Sequence, residues 1–379
     1  MTFTSKTLIM LSTLTFSAAL APESFAQDIT VDFGGRYMLD YTVADITGPD
    51  SEINDEAIRR LRGKVSGKVG SKWSYKFETT LDPEDDNLIL EDAYVQYKPG
   101  FGNWSFTFGQ DNTTVSLDEL TSSLFSSTLE RSAMTDAFGF SRRLGVIAKT
   151  SGDNYGFFAG LFTSNLEGED GGSPDRGKAA SARAYYNPIK TDETVLHLGA
   201  SWRYREKGED SSNIRYRQRP YSNVAPSRII DTGRFAKSDN IFILEAAAVQ
   251  GKFWTSGEVS YLKANGQGAN PDANFGSYYG EVGAFFGGKK VYKGGRFNRP
   301  EVDKPFGRGG YGAVSVVARY DSIDLQDDVY LGKLDTVILG ADWWPTRNTR
   351  LGVNYFNADA ENGSADKGEG FLARAQFDF

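Results

Sequence analysis

Apolar and polar side chains alternate residue by residue through most of this chain, and that period of two is the strongest constraint on its fold. In 371–379, Phe371, Ala373, Ala375, Phe377 and Phe379 share one face and Leu372, Arg374, Gln376 and Asp378 the other. In 195–205, Leu196, Leu198, Ala200, Trp202 and Tyr204 oppose His197, Gly199, Ser201, Arg203 and Arg205. Strict alternation makes a strand with one apolar and one polar face. Sixteen such runs can be marked: 29–41, 57–70, 73–81, 90–98, 104–110, 144–150, 155–162, 180–187, 195–205, 240–250, 253–263, 277–287, 310–321, 334–344, 349–357 and 371–379. Many are near the nine to eleven residues that a tilted strand needs to cross a bilayer.

Averages conceal this pattern. The mean hydropathy of -0.44 reads as soluble, and no segment after residue 26 approaches the roughly 18 unbroken apolar residues of a membrane helix. Yet the 379 residues include 42 Gly, 26 Phe and 19 Tyr, a composition that a helical enzyme explains poorly. Tyr41, Trp73, Tyr97, Trp104, Tyr204 and Trp343 fall towards strand ends, where aromatic girdles meet the membrane interface. Short and long connections alternate, as turns and loops do in an up-and-down barrel. A soluble sandwich would instead press the apolar faces together. The reading that fits is all-β: a transmembrane antiparallel up-and-down β-barrel of 16 strands, spanning 27–379. Residues 1–26 read as a signal peptide, with Lys6, the apolar run 7–20 and a Ser24-Phe25-Ala26 cleavage site. Such a chain is exported and integral to a bacterial outer membrane, among lipid and lipopolysaccharide. One connection breaks the rhythm: 288–309 stands where a short turn belongs, so it either hides a strand pair or has a role of its own.

With no Cys there is no disulfide, thiol nucleophile or thiolate metal site, and one His excludes a His-rich metal centre. His197 and Ser201 share a face but lie about 13 Å apart along a strand, too far for a catalytic dyad. No catalytic group, metal, cofactor or nucleic-acid partner is expected.

If the apolar faces meet lipid, the polar faces line a lumen wide enough for water. Parity then turns Arg36, Arg60, Arg62, Lys64, Lys68, Lys76, Lys149, Arg183, Arg203, Arg205, Arg319, Arg350 and Arg374 inward. It does the same for Asp32, Asp40, Glu78, Asp92, Glu245, Glu258, Glu281, Asp342 and Asp378. The lumen leans cationic although the chain carries a net charge of -8, because acid is concentrated in loops at 45–56, 82–87, 167–170 and 324–328. Such runs are usually solvated, or bind divalent cations at a lipopolysaccharide surface. Two basic clusters stand out: Arg60, Arg62, Lys64 and Lys68 in one column, and Arg203 and Arg205 followed by Arg215, Arg217 and Arg219. Guanidinium rows offer bidentate donors to phosphate or carboxylate, so they either guide small anions or merely balance the lumen acids.

At these residues the chain resembles the phosphate-selective porin O and P family. The stretches that carry the likeness are RRLRGK (59–64) before the WSYKFE strand, LEDAYVQY (90–97), FGQ (108–110), SLDELTSS (116–123) and ERS (130–132). RQRP (217–220), DTG (231–233), GYGAVSVVARYDSIDLQD (310–327) and the terminal Phe379 continue it. The resemblance implies a homotrimeric porin whose loops 110–143 and 206–239, with a long periplasmic turn, fold into the lumen. By motif, Arg59, Arg60 and Asp92 match the family's arginine pair and acid, and Ser122 and Ser123 its serine region. Arg131 is among the few cations of the constricting loop. Phosphate-selective members resemble one another in a loop lysine, whereas here no lysine occurs between Lys98 and Lys149. The expected activity is passive diffusion of small hydrophilic solutes with a preference for anions, phosphate or other. The alternatives are a general or sugar porin and, outside that class, a barrel enzyme or adhesin.

Overall fold

A two-faced strand can satisfy its backbone inside a bilayer only if the sheet closes on itself, and this one does. The computed structural model describes residues 29–47, 52–82, 87–163, 166, 176–225 and 228–379. The expected signal segment and much of the acidic loop sequence lie outside them. The first nine strands are β1 (Asp32–Ile46), β2 (Glu52–Val69), β3 (Trp73–Asp82), β4 (Asn87–Tyr97), β5 (Ser105–Asn112), β6 (Arg142–Ser151), β7 (Tyr155–Phe162), β8 (Lys178–Lys190) and β9 (Thr194–Glu206). A two-residue pair, β10 (Arg217–Gln218) and β11 (Ile230–Asp231), follows in the next loop. Then come β12 (Ala236–Gln250), β13 (Phe253–Gly266), β14 (Ala273–Phe286), the hairpin β15 (Gly288–Tyr292) and β16 (Phe297–Val302), β17 (Ala313–Asp324), β18 (Lys333–Thr346), β19 (Thr349–Glu361) and β20 (Lys367–Asp378). The sixteen strands outside the two small pairs form a closed antiparallel barrel. β20 returns to β1, from Arg36 opposite Asp378 to Ile46 opposite Gly368.

All sixteen expected strands are present, several of them longer than their apolar alternation. β2 starts at Glu52 rather than 57, β12 at Ala236 rather than 240, and β20 at Lys367 rather than 371. These extensions are on the loop side, where both faces carry polar residues and backbone pairing continues without a hydropathy signal. The outer surface is covered with exposed large apolar side chains, such as Phe33, Leu161, Phe242, Leu244, Phe371 and Phe379. So broad an apolar surface belongs in lipid. Aromatic contacts mark both rims: Trp73 with Tyr97 near the short turns, and Tyr355 with Phe371 near the long loops.

The interior is packed on one side. Below the loops, Met134, Phe138, Tyr216, Phe235 and Phe275 form one apolar cluster, and at the opposite end Leu117, Trp254, Phe285, Phe297 and Trp344 form another. The second cluster is made by the rhythm-breaking connection. Its β15–β16 hairpin folds back inside the barrel, so 288–309 both hides a strand pair and fills the lumen. At the hairpin tip Gly295 has φ +79°, and an added Cβ would meet the Tyr185 ring. Its carbonyl accepts from Arg183 at 2.6 Å.

Candidate functional site

Two β-bulges set the geometry of the constriction. Met38 pairs with Arg60 and Leu39 with Ile58, so Arg59 is an extra residue in β2. Phe77 pairs with Ala93 and Thr79 with Leu90, so Glu91 and Asp92 together oppose Glu78. A bulge lets two successive side chains point the same way. Arg59 and Arg60 both line one lumen cavity, and Glu91 and Asp92 are both buried within the barrel. Strict alternation would have sent one of each pair into lipid.

Opposite them lies the inward loop 113–141, with two short helices, α1 (Leu117–Leu120) and α2 (Ala133–Ala137). Wall carboxylates hold its backbone. Glu258 accepts from the Leu117 and Asp118 amides at 2.8 and 2.9 Å and from the Ser116 hydroxyl at 3.0 Å. Asp321 accepts from the Ala133 amide at 2.8 Å, and Glu281 from the Ser127 hydroxyl at 2.7 Å. Ser116 is held at φ +67°, a strained conformation for a non-glycine residue that these bonds over-determine. The second inward loop, 207–235, joins the first at Asn354, whose Oδ1 accepts from both the Leu129 amide (2.7 Å) and the Tyr221 hydroxyl (2.8 Å).

The barrel wall is therefore divided. From β8 to β20 its inward charges anchor loops and hairpin. Arg319 pairs with Glu281 at 2.8 Å, Arg350 with Asp342 at 2.8 Å, and Arg374 with Asp40 at 2.6 Å, all fully or nearly buried. His197, the single histidine, bridges Glu245 (3.1 Å) and the Tyr292 hydroxyl of the hairpin (2.6 Å). From β1 to β6 many of the inward charges, Asp40 and Arg143 excepted, instead line cavities. Three cavities of about 220, 320 and 340 Å³ run there in series from the loop end to the turn end, with shared lining residues. Arg60, Ser123, Arg131 and Arg142 belong to the first two, and Arg36, Arg62, Glu78 and Ser122 to the last two.

Most cations on this path already have a carboxylate. Arg59 makes a two-pronged contact with Glu130 (2.8 and 2.9 Å), and Arg142 reaches Glu91 and Asp92, both at 2.6 Å. Arg62 pairs with Glu91 and Glu78, Lys76 with Asp92 and Glu78, and Lys149 with Asp111. Arg36 touches Glu78 and reaches across to the Ser123 hydroxyl, both at 3.3 Å. Four lining cations have no carboxylate within 4 Å among the described residues. These are Arg219 in the loop-side cavity, Arg60 and Arg296 in the constriction, and Lys64 in the turn-side cavity. Among the described residues Arg219 donates to the Asn223 amide oxygen and Arg296 to the Leu120 carbonyl.

The loop carboxylates differ in their titration. Burial alone would raise the Glu130 carboxyl, but Arg59 and Arg374 outweigh it and hold the group well below the ordinary carboxylate range. Burial does raise Glu119, which Arg131 only partly offsets. Burial pushes the Lys290 amine of the hairpin down to about 8, against the pull of Glu281.

The structure brings Arg59, Arg60, Arg62, Asp92, Ser122, Ser123 and Arg131 together at the constriction, with Lys64 and Arg219 at its two ends. The Arg131 guanidinium is occupied by the Asp118, Glu119 and Thr121 carbonyls and by Glu119, so it braces the loop. Four expected arginines are placed elsewhere. Arg203 and Arg205 are sealed against Asp239 at 3.2 and 2.7 Å, beneath Tyr216 and the Phe138 and Gly139 carbonyls. Arg215 and Arg217 belong to the neighbouring loop, Arg215 facing Asp231 and Arg217 lying in β10. Parity gives direction but does not reveal that a loop has folded over the wall. Glu91, Arg142, Glu119, Glu130 and Arg296 were not foreseen as site residues. The adjacent Glu91-Asp92 was a visible signal, but only the bulge makes both point inward.

Comparison with known proteins agrees with this fold. A family model described as phosphate-selective porin O and P matches residues 31–379. An uncharacterized protein of Caulobacter vibrioides is 34% identical over 88% of this chain and 70% of its own length. Porin O of Pseudomonas aeruginosa is 25% identical over 93% of this chain and 89% of its own. Among solved structures, an anion-selective porin from Comamonas acidovorans has a TM-score of 0.63 at 12% identity, covering 93% of this chain and all of that one. The trimer form of OmpT from Vibrio cholerae has a TM-score of 0.56 at 14% identity, covering 93% and 99%.

Proposed function

This chain belongs to the phosphate-selective porin O and P family, as an integral porin of the outer membrane, and on that premise we propose that it conducts small hydrophilic solutes by diffusion with a preference for anions. One observation carries the reading. Arg60, which lines both the loop-side cavity and the next one, has no carboxylate partner among the described residues, and the other unpaired cations, Arg219, Arg296 and Lys64, lie along the same series of cavities. An unpaired guanidinium in a water-filled constriction lowers the energy of a passing anion and raises that of a cation. The arginine pair, Asp92 and the serines would act as pore lining, with Ser122 and Ser123 offering hydroxyls to a partly dehydrated solute.

The preference is modest and not phosphate-specific in this reading. Glu78, Glu91, Asp92, Glu119 and Glu130 already neutralise most of the constriction, and the loop contributes no lysine. The trimer form of a structural neighbour supports a homotrimer, and the composition of 1–26 supports its removal on export. Reversal potentials in a KCl gradient across a planar bilayer test the proposal. Anion-preferring values are expected, with phosphate blocking chloride current weakly; clear cation preference rules it out.

A further inference from the structure

The hairpin that fills the lumen carries a buried cation. Lys290 lies on β15 and is 5% exposed. Its ammonium donates to the Ser127 hydroxyl at 2.8 Å and to the Phe125 carbonyl at 3.2 Å. The rings of Phe297 and Trp254 stand 4.8 and 5.1 Å from it. It makes no ion pair among the described residues, and a buried charge without a direct counter-charge is costly. The charged groups around it are engaged elsewhere. On the wall, Glu281 of β14 holds Arg319 of β17 and the Ser127 and Ser256 hydroxyls, and Asp342 of β18 holds Arg350 of β19 and the Ser315 hydroxyl. On the hairpin, Lys289 pairs with Glu301 and Arg299 with Asp378 of β20. The loop stretch 125–127 brings no charge of its own.

The ammonium grips a bend of the inward loop. The Phe125 and Ser126 amides donate to the Ser122 carbonyl at 2.8 and 3.1 Å, so 122–126 is a single turn. Ser122, Ser123, Phe125 and Ser126 border the passage. Lys290 draws the same turn the other way, towards the packed side where Trp254, Phe285 and Trp344 lie. Arg350 and Gln376 also donate to this stretch, to the Ser127 and Leu124 carbonyls at 3.4 and 3.1 Å. With those contacts in place, losing the lysine tie shifts the turn without unfolding it.

We propose that Lys290 is a positioning residue for conduction: its ammonium ties the hairpin to the turn 122–127, draws that turn out of the passage and so sets the width of the constriction. This rests on the porin reading above. Charge makes the tie strong. A hydrogen bond from an ammonium is roughly twice as strong as a neutral one, and attraction to the two ring faces belongs to the cation alone. Burial brings the amine down to about 8, against the pull of Glu281. The cation therefore prevails at neutral pH and is lost as pH rises through about 8. The turn then leans inward and the passage narrows.

The test compares the unaltered protein with Lys290→Met, which keeps an unbranched side chain of similar length and removes its charge. Both are recorded as single channels in planar bilayers at about pH 7 and about pH 9.5, either side of the lysine's titration. Uncharged polyethylene glycols of graded size are added, because the largest one that still lowers the current reads pore width and is blind to charge. In the unaltered protein this size limit should fall from the lower pH to the higher. Lys290→Met should show the smaller limit already at neutral pH, and the gap between the two proteins should close at alkaline pH. Equal limits at neutral pH overturn the inference and leave the porin standing. A gap that persists undiminished at alkaline pH also overturns it, since the side chain then acts by shape. So does a changed current with an unchanged size limit, which is a field effect without movement. If Lys290→Met fails to fold, the unaltered protein decides, and a size limit equal at both pH values overturns the inference. An unaltered protein that forms no channel removes the porin reading and this inference together.

Discussion

Replacing Arg60 by alanine should remove most of the anion preference, and the expected size follows from where the guanidinium sits. For an ion taken at about 5 Å from it, a unit charge is worth about 0.8 kcal/mol in bulk-like water and about 3 kcal/mol at an effective dielectric of 20. The passage is wet, so the lower figure governs. Permeability ratios register both the lost attraction for the anion and the relieved repulsion of the cation, about 1.6 kcal/mol together before screening. At 0.1 M salt the Debye length of about 10 Å trims this to about 1 kcal/mol, or about fivefold in the chloride-to-potassium ratio. Single-channel recordings under a salt gradient read that ratio. Arg60→Lys keeps the charge and should stay within about twofold of the unaltered protein. The difference between Arg60→Ala and the unaltered protein should shrink at 1 M salt, where the Debye length is about 3 Å. An unchanged reversal potential in Arg60→Ala refutes the reasoning, and so does an Arg60→Lys variant that falls as far as Arg60→Ala.

Three further outcomes follow from the packing. Because burial raises the Glu119 carboxyl above its ordinary value, it gains its proton before exposed carboxylates as pH falls. Anion preference should therefore rise on acidification from neutral pH, and Glu119→Gln should flatten that rise in reversal-potential titrations. Asp239→Ala takes the shared buried carboxylate away from Arg203, Arg205 and the Tyr216 hydroxyl. Stripping a buried charge of its partner costs about 3–5 kcal/mol, so the temperature at which the folded barrel loses its gel mobility should drop while the reversal potential stays put. Tyr292→Phe removes the hydroxyl that joins the hairpin to His197 and Asn187; losing those buried bonds costs about 1–3 kcal/mol. It should appear as noisier, larger single-channel current from a loosened hairpin.

The barrel was readable because a closed membrane sheet has to alternate at every residue that meets lipid. Strand order, strand number and the inward direction of Arg183, Arg319, Arg350 and Arg374 all follow from that one rule. What the rule cannot see is occupancy of the lumen. Arg203 and Arg205 point inward as their parity requires, yet loop 207–235 and Phe138 cover them, and their chemistry passes from the pore to the core. Strand ends beyond the apolar band were missed for a related reason: with both faces in water, pairing there leaves no period. The 288–302 hairpin was visible only as an excess of length.

The bulges show why family motif and strict alternation gave different answers at the site. Alternation puts Arg60 inward and Arg59 in lipid, where an uncompensated guanidinium would be costly. The motif places both in the lumen. One extra residue in β2 satisfies both, because the shift between Ile58 and Arg60 restores the apolar series on the lipid side with Leu61 while keeping two guanidinium groups inside. β4 makes the same shift at Glu91-Asp92. Each bulge thus doubles the charge density of its own sign at one level of the barrel, cationic on β2 and acidic on β4, with Arg62, Lys76 and Arg142 linking the two. Glu91 and Asp92 are taken up by Arg62, Lys76 and Arg142, and Glu130 by Arg59 and Arg374. On β2 this arrangement leaves the Arg60 guanidinium over, and the proposed anion preference of a constriction so rich in carboxylates rests on it.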